Sequence, residues 1–337
     1  MKPPVFVLGC PRSGTTLLYH MLLSSGGFAV YRAETQFFDL ILPRFGYLKS
    51  QRSKEALMEM WLASHYFELS GLDRQTIKDR VLNECREGAD FLRILMESIA
   101  ESQNVDRWAE TTPVHLLYIP EIKKAFPDAL ILHVIRDGRD CALSLDRQRW
   151  IAPLPWDKNH RLLAAGSFWD WIVRKGRKHG RAIAPDYMEV RFEELIKNPT
   201  EVLARIGSFI NHDLDYERIQ QVAIGSVSRP NTSFEDGATQ KEFKPVGRWR
   251  ERFPEEEIRL FEMGSGALLE ELGYELACSS YKLSEQVNAK TRRWLYNAYF
   301  NLKQWVKSHT PLSRFMVDTG LLRYGSQYSR NRGDIAL

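Results

Sequence analysis

The sequence predicts an α/β fold: a parallel sheet flanked by helices, of the phosphate-loop nucleotide-binding type, with a helical insertion and a basic helical C-terminal tail. Two observations predict it. Three short strand-like runs, Val5–Leu8, Ala129–Ile135 and Tyr187–Phe192, alternate with segments of helical period, as expected of parallel strands joined by crossover helices. The first run also passes through a donor-rich, glycine-bounded loop straight into a helix, the arrangement that holds anions at a helix N-terminus.

Val5 to Leu8 are all apolar and read as a buried strand that Gly9 ends. The loop Gly9-Cys-Pro-Arg-Ser-Gly-Thr-Thr16 follows, with four residues between Gly9 and Gly14, the spacing of a phosphate-binding loop. Its only cation is Arg12, set among the hydroxyls of Ser13, Thr15 and Thr16. The nucleotide-triphosphatase pattern demands Lys where this chain has Thr15. The loop therefore suits an oxyanion but lacks the Lys that reaches the β- and γ-phosphates of ATP. From Thr15 the pattern becomes helical, with Leu17, Leu18, Met21 and Leu22 on one face.

After a turn at Gly26-Gly27, Phe28–Tyr31 reads as a second short strand, which places Glu34 at its C-terminal end, the edge where open α/β sheets bind ligands. Residues 39–104 are helical by pattern and form the insertion, a wall or lid for an acceptor. Val114–Ala125 reads as a helix closed by Phe126-Pro127. Ala129–Ile135 is strongly apolar, with His133 as its one polar residue, as a central strand buried on both faces is; it runs into Arg136–Ser144, where the next helix starts. Residues 147–160 form a loop carrying Trp150 and Trp156, and helices follow near 162–179, 199–210 and 254–272, with a Gly/Ser/Pro/Asn-rich stretch at 225–240. One domain over 1–276 and a basic aromatic extension over 277–337 result.

Composition narrows the classes. Of 337 residues, 44% are apolar and 27% charged, ordinary globular usage. The net charge of +4 is uneven: from Lys282 onward ten Lys/Arg face three Asp/Glu. The basic surplus thus sits in the tail and not on a nucleic-acid-binding body. The tail is expected to dock on the domain, to form an interface or to touch an anionic membrane surface. Cys10, Cys85, Cys141 and Cys278 form no C-x-x-C pair, so neither a zinc site nor a disulfide framework is expected. No apolar run approaches the roughly 20 residues that cross a bilayer, and the phosphate loop starts within ten residues of Met1. A cytoplasmic location is expected.

Pro11-Arg-Ser-Gly-Thr-Thr-Leu17 resembles the 5′-phosphosulfate-binding loop of sulfotransferases, closest in style to the carbohydrate, tyrosyl-protein and bacterial members. These enzymes take a sulfuryl group from 3′-phosphoadenosine 5′-phosphosulfate (PAPS). Ile135–Ser144 is similar to the family's 3′-phosphate motif, in which an Arg at a strand end and a Ser eight residues later hold the phosphate. Arg136 and Ser144 occupy both positions, and a guanidinium at a strand mouth suits a phosphate on its own chemistry. The competing reading pairs Arg136 with Asp137; Arg139 and Asp140 read as a solvated pair. Val190–Leu195 looks like the family's Y-E-D-L strand end, with Phe192 in the Tyr position, which keeps stacking and loses a hydroxyl. Lys244–Trp249 resembles the segment that closes over the nucleotide, making Lys244 and Arg248 phosphate contacts. The resemblance thus implies a donor site of Arg12, Ser13, Gly14, Thr15, Thr16, Arg136, Ser144, Phe192, Lys244 and Arg248, with no metal.

Ala33-Glu-Thr-Gln-Phe-Phe38, with Glu34 22 residues past Arg12, resembles the position from which carbohydrate and tyrosyl-protein members draw their catalytic Glu. The Phe37-Phe38 pair beside it favours a raised pKa, which suits a base. His115 is the reserve, and His20 and His133 read as structural. Where many relatives with a Glu base carry K-T-P or N-K-D-P this chain has Glu110-Thr111-Thr112-Pro113, so either Arg12 meets the departing charge, another cation such as Lys244 does, or the enzyme is slow. The resemblance implies in-line sulfuryl transfer with Glu34 as general base and Arg12 beside the leaving oxygen. The acceptor is a hydroxyl on a saccharide, peptide tyrosine, lipid or small natural product, with Trp150, Trp156, Phe37 and Phe38 as possible walls. The alternatives are a phosphate-loop kinase, which the missing Lys opposes, and a non-catalytic homologue that binds 3′-phosphoadenosine 5′-phosphate (PAP).

Overall fold

The computed structural model describes residues 1–222, 245–278 and 282–317. Its centre is a four-stranded parallel sheet of β1 (Val5–Gly9), β2 (Ala109–Glu110), β3 (Leu130–Ile135) and β4 (Tyr187–Arg191), in the order β2-β1-β3-β4. Val5 pairs with Leu130 and Gly9 with Val134, while Ile131 pairs with Tyr187 and Ile135 with Arg191. That register brings the carboxyl ends of β1 and β3 level. The loop after Gly9 and the loop after Ile135 therefore emerge side by side, although more than 120 residues separate them.

The helix Thr15–Ser24 follows β1 directly and buries Leu18, Met21 and Leu22 with Val5 and Val7 on one face of the sheet. The other face carries the long helix Arg161–Arg181, buried almost continuously from Leu163 to Val173. The helices Glu255–Glu271 and Leu283–His309 pack on it in turn. Residues 37–102 form a mainly helical block, ending in Gly88–Ser102. The expected helix over Val114–Ala125 comes in two pieces, a 3₁₀ segment Pro113–Tyr118 and an α-helix Ile119–Ala125. Pro120 has no N–H to continue the first piece and starts the second.

The tail helix Leu283–His309 is docked. Asp157, buried, accepts from the Tyr296 hydroxyl at 2.9 Å and also meets Arg292 and, at 2.6 Å, His160. Trp171 Nε1 donates to Asn301 Oδ1 at 3.1 Å, and Phe300 packs edge-on against Phe168.

Two expectations are corrected. Phe28–Tyr31 is not a strand: Phe28 makes one bridge to Arg107, and beyond it the Gln103 side-chain amide takes both backbone groups of Val30, its Oε1 accepting at 2.7 Å and its Nε2 donating at 3.0 Å. A side chain thus replaces the neighbouring strand, and Glu34 lies in a loop. Arg139 and Asp140 are not solvated. Arg139 is buried between Asp137 (2.8 Å) and Glu262 (2.7 Å), its guanidinium 3.7 Å from the Trp249 ring centre. Arg139 also takes the Asp137 carboxylate that the competing reading assigned to Arg136.

Candidate active site

The loop between β1 and the first helix is built around two residues in the left-handed region, Arg12 (φ 74°) and Gly14 (φ 98°). Gly14 has no alternative: a Cβ there would lie 2.3 Å from the Phe192 ring. The turn aims the first amides of Thr15–Ser24 out of the sheet edge, beside the positive end of the helix dipole. Ser13 N–H closes the loop on Cys10 O at 3.0 Å. The buried Ser13 hydroxyl makes no hydrogen bond among the described residues. Thr15 is buried at the helix start and Thr16 half-buried.

Arg136 leaves the end of β3 and turns back across this loop. Its Nη1 donates to the Arg12 carbonyl at 3.0 Å, and Nη2 donates to Pro245 O. Its guanidinium lies 4.5 Å above the Phe192 ring. Its Nε is buried and makes no hydrogen bond among the described residues. Phe192 is therefore wedged between Gly14 and Arg136 and joins the two loops from below. Trp169 supports the β3 end by donating Nε1 to Arg136 O at 3.2 Å.

Ser144, on the helix Gly138–Arg147, accepts from Arg12 Nε at 2.9 Å. Asp140, on the same helix, accepts from the backbone amides of Gly247 (2.8 Å) and Trp249 (3.1 Å). One carboxylate thereby fixes the 247–249 segment and Arg248 within it. Arg248 has its pKa pushed down to about 10, first by burial and then by the nearby guanidinium of Arg136, with Arg12 adding to it. Three arginines from three separate elements thus crowd one place, an arrangement that favours a bound polyanion. Lys244 lies outside the described residues.

Glu34 is half-buried beside this cluster. Burial, then the carboxylates of Asp39 and Glu110, push its pKa up to about 8; His115 and Arg12 pull the other way. Gln36 Nε2 donates to Glu34 Oε2 at 2.5 Å. Behind Glu34 is a buried string that sequence reasoning missed. Glu110 accepts from Thr35 (2.7 Å) and Thr112 (2.5 Å), and His115 Nδ1 lies 3.2 Å from it. His115 Nε2 lies 3.1 Å from Asp39 Oδ1. The two carboxylates hold His115 in its charged form, with its pKa pushed up to about 9 despite burial. His115 is thus fully engaged within the protein, its Nε2 also meeting the Phe38 N–H at 3.1 Å. His133 donates or accepts with the Tyr187 hydroxyl at 2.6 Å inside β3, and burial lowers its pKa to about 3. Thr111 turns its hydroxyl to Val7 O at 3.1 Å. Phe37 is fully buried against Phe38 and Phe91, so it lines no acceptor site. Trp156 is exposed, and Trp150 lies 5.5 Å from the Arg12 guanidinium.

The comparisons agree with this architecture. The sulfotransferase family model matches residues 3–216. The chain belongs to the sulfotransferase family. The sulfotransferase domain of the Synechococcus PCC 7002 olefin synthase superposes with a TM-score of 0.55 at 20% identity, over 82% of this chain and 96% of that one. The sulfotransferase domain from the curacin biosynthetic pathway gives 0.55 at 16% identity, over 82% and 99%. At these identities the likeness is one of fold. No curated protein matches the sequence. Among the described residues no helix is long and apolar enough to cross a membrane.

Proposed function

We propose that the protein transfers a sulfuryl group from PAPS to an acceptor hydroxyl, with Glu34 as general base. The observation that carries this reading is the convergence of Arg12, Arg136 and Arg248 beside a carboxyl whose pKa is raised to about 8. Three guanidiniums and a row of helix amides suit a ligand with two separate anionic ends. The orphaned Ser13 hydroxyl and Arg136 Nε are donors that such a ligand would satisfy. In this reading Ser13, Thr15, Thr16 and the helix amides hold the 5′-phosphosulfate, and Arg136, Ser144 and Arg248 hold the 3′-phosphate. Phe192 fixes the distance between the two grips.

The acceptor oxygen attacks sulfur in line with the bridging oxygen. Its proton passes to Glu34, the sulfur–oxygen bond to the phosphate breaks, and PAP leaves with the electron pair. Arg12 stands where that negative charge grows, and fixed charges there stabilise the transition state more than the ground state. With Thr111 turned into the sheet, Arg12 takes the part that Lys plays in relatives. Glu34 meets the requirement of a base, a pKa near the working pH.

The test uses Glu34→Gln. Transfer from PAPS to a panel of sugar, phenol and aliphatic hydroxyl acceptors is expected to fall by at least a hundredfold, while PAP binds in EDTA as tightly as to the parent. Near-normal sulfation by the variant would remove Glu34 from the role. Binding of ATP in place of PAP would favour a kinase.

A further inference from the structure

Beneath the tail lies a cavity of about 420 Å³ that takes no part in the arrangement above. One wall is the insertion, with Phe38 and Tyr47; another is Tyr118 and Lys124 of the segment after β2; the third is the tail, with Lys307 and Arg314. The volume is that of an ordinary small-molecule site. Ser313 and Arg314 close the tail over it: Ser313 Oγ donates to Pro43 O at 3.0 Å, and Arg44 donates to Arg314 O at 2.6 Å. The segment 113–125 leads from the carboxyl edge of the sheet back toward the start of β3. Neither Glu34 nor His115 lines the cavity.

The chemistry of the walls is mixed in a particular way. Phe38 and Tyr118 stack at 6.1 Å and present aromatic surface. Lys307 reaches in from the tail and also borders a second, smaller void with Lys303, Asp39 and Tyr118. Burial and the neighbouring Lys307 lower the Lys303 pKa to about 8. Lys307 is shifted down by burial too, relieved only in part by Asp39. Asp39 is already committed to His115 at 3.1 Å. Glu87 from the insertion and Glu121 from the segment after β2 also line the cavity, together with Lys124 and Arg314. The Lys307 ammonium is thus borne on a half-buried side chain at the cavity wall with the already engaged Asp39 as its counter-charge, a placement that a bound anion would relieve.

We infer that this cavity binds an amphipathic anion, with an aromatic or acyl body lying on Phe38, Tyr47 and Tyr118 and a carboxylate or phosphate ester on Lys307. The inference does not depend on the sulfuryl-transfer reading, because none of these residues belongs to the donor site.

The test is calorimetric, on the full chain, with dodecanoate and dodecyl phosphate below their micellar concentrations and with dodecanol and inorganic phosphate as partial ligands. The two amphipathic anions are expected to bind once per chain, at least tenfold more tightly than either partial ligand. Lys307→Met keeps the stem and removes the charge; it should weaken both anions about tenfold and leave dodecanol unchanged. Ala89→Trp fills the cavity from the insertion side and should abolish binding. Both variants should keep the parent's circular dichroism and its affinity for PAP, which separates cavity occupancy from misfolding and from failure of the transferase reading. No binding of either anion overturns the inference. So does binding that survives both substitutions, or dodecanol binding as tightly as the anions.

Discussion

Gly14→Ala measures how tightly the proposed donor site is braced. Position 14 has φ 98° and ψ 15°, where a side chain costs ~1–2 kcal/mol. The new Cβ would also lie 2.3 Å from Cδ2 of Phe192. That ring cannot move alone, because the Arg136 guanidinium sits 4.5 Å above it. Losing this partly desolvated cation–π contact costs a further ~1–2 kcal/mol. Together these make ~3 kcal/mol, about a hundredfold in the dissociation constant for PAP if the loop refolds on binding. Titration calorimetry with PAP in EDTA reads this directly, and thermal unfolding reads the share borne by the free protein. Gly71→Ala is the control. It has φ 66°, and a Cβ there meets nothing within 4 Å. It should lower the melting temperature modestly and leave PAP affinity alone. If Gly14→Ala binds PAP within twofold of the parent, the bracing of Gly14, Phe192 and Arg136 is not what shapes the site.

Three further outcomes are expected. With Glu34 titrating near 8, kcat/KM for transfer should climb roughly tenfold per pH unit from pH 6 and level off above 8; a flat profile over that range argues against a carboxyl base there. His115 is held charged with its pKa raised from 6.5 to about 9, so its stabilising contribution is complete below pH 6.5 and fades as pH rises through 9. Melting curves of the parent should show that loss, and those of His115→Gln should not. Arg139→Met leaves Asp137 and Glu262 buried without their shared cation, a change that costs about 3–5 kcal/mol; chemical denaturation should show it, and a loss under 1 kcal/mol would mean the carboxylates find other partners.

What the sequence made legible was whatever is carried by neighbours in the chain. The strand, loop and helix from Val5 to Ser24 lie within 20 residues, and Arg136 and Ser144 share a strand end and one helix. Asp140 read as a surface charge because its partners, the amides of Gly247 and Trp249, are more than 100 residues away. Arg139 misled for the same reason, its ligand being Glu262. The string through Glu110, His115 and Asp39 spans a break between two parts of the chain, and no local pattern signals it. Phe28–Tyr31 has strand-like composition, but composition cannot show that Gln103 will occupy the backbone of Val30. β2 is two residues long, too short for any periodicity.

The side-by-side exit of two loops from β1 and β3 has a bearing on how such a protein can change. Residues 42–104 supply none of Arg12, Ser13, Arg136, Ser144, Phe192 and Arg248, the side chains gathered at that junction. A chimera that exchanges residues 42–104 for those of another member should therefore inherit a new partner preference while gripping the same donor. Diversification of this kind needs no compensating change at Arg12, Arg136 or Phe192.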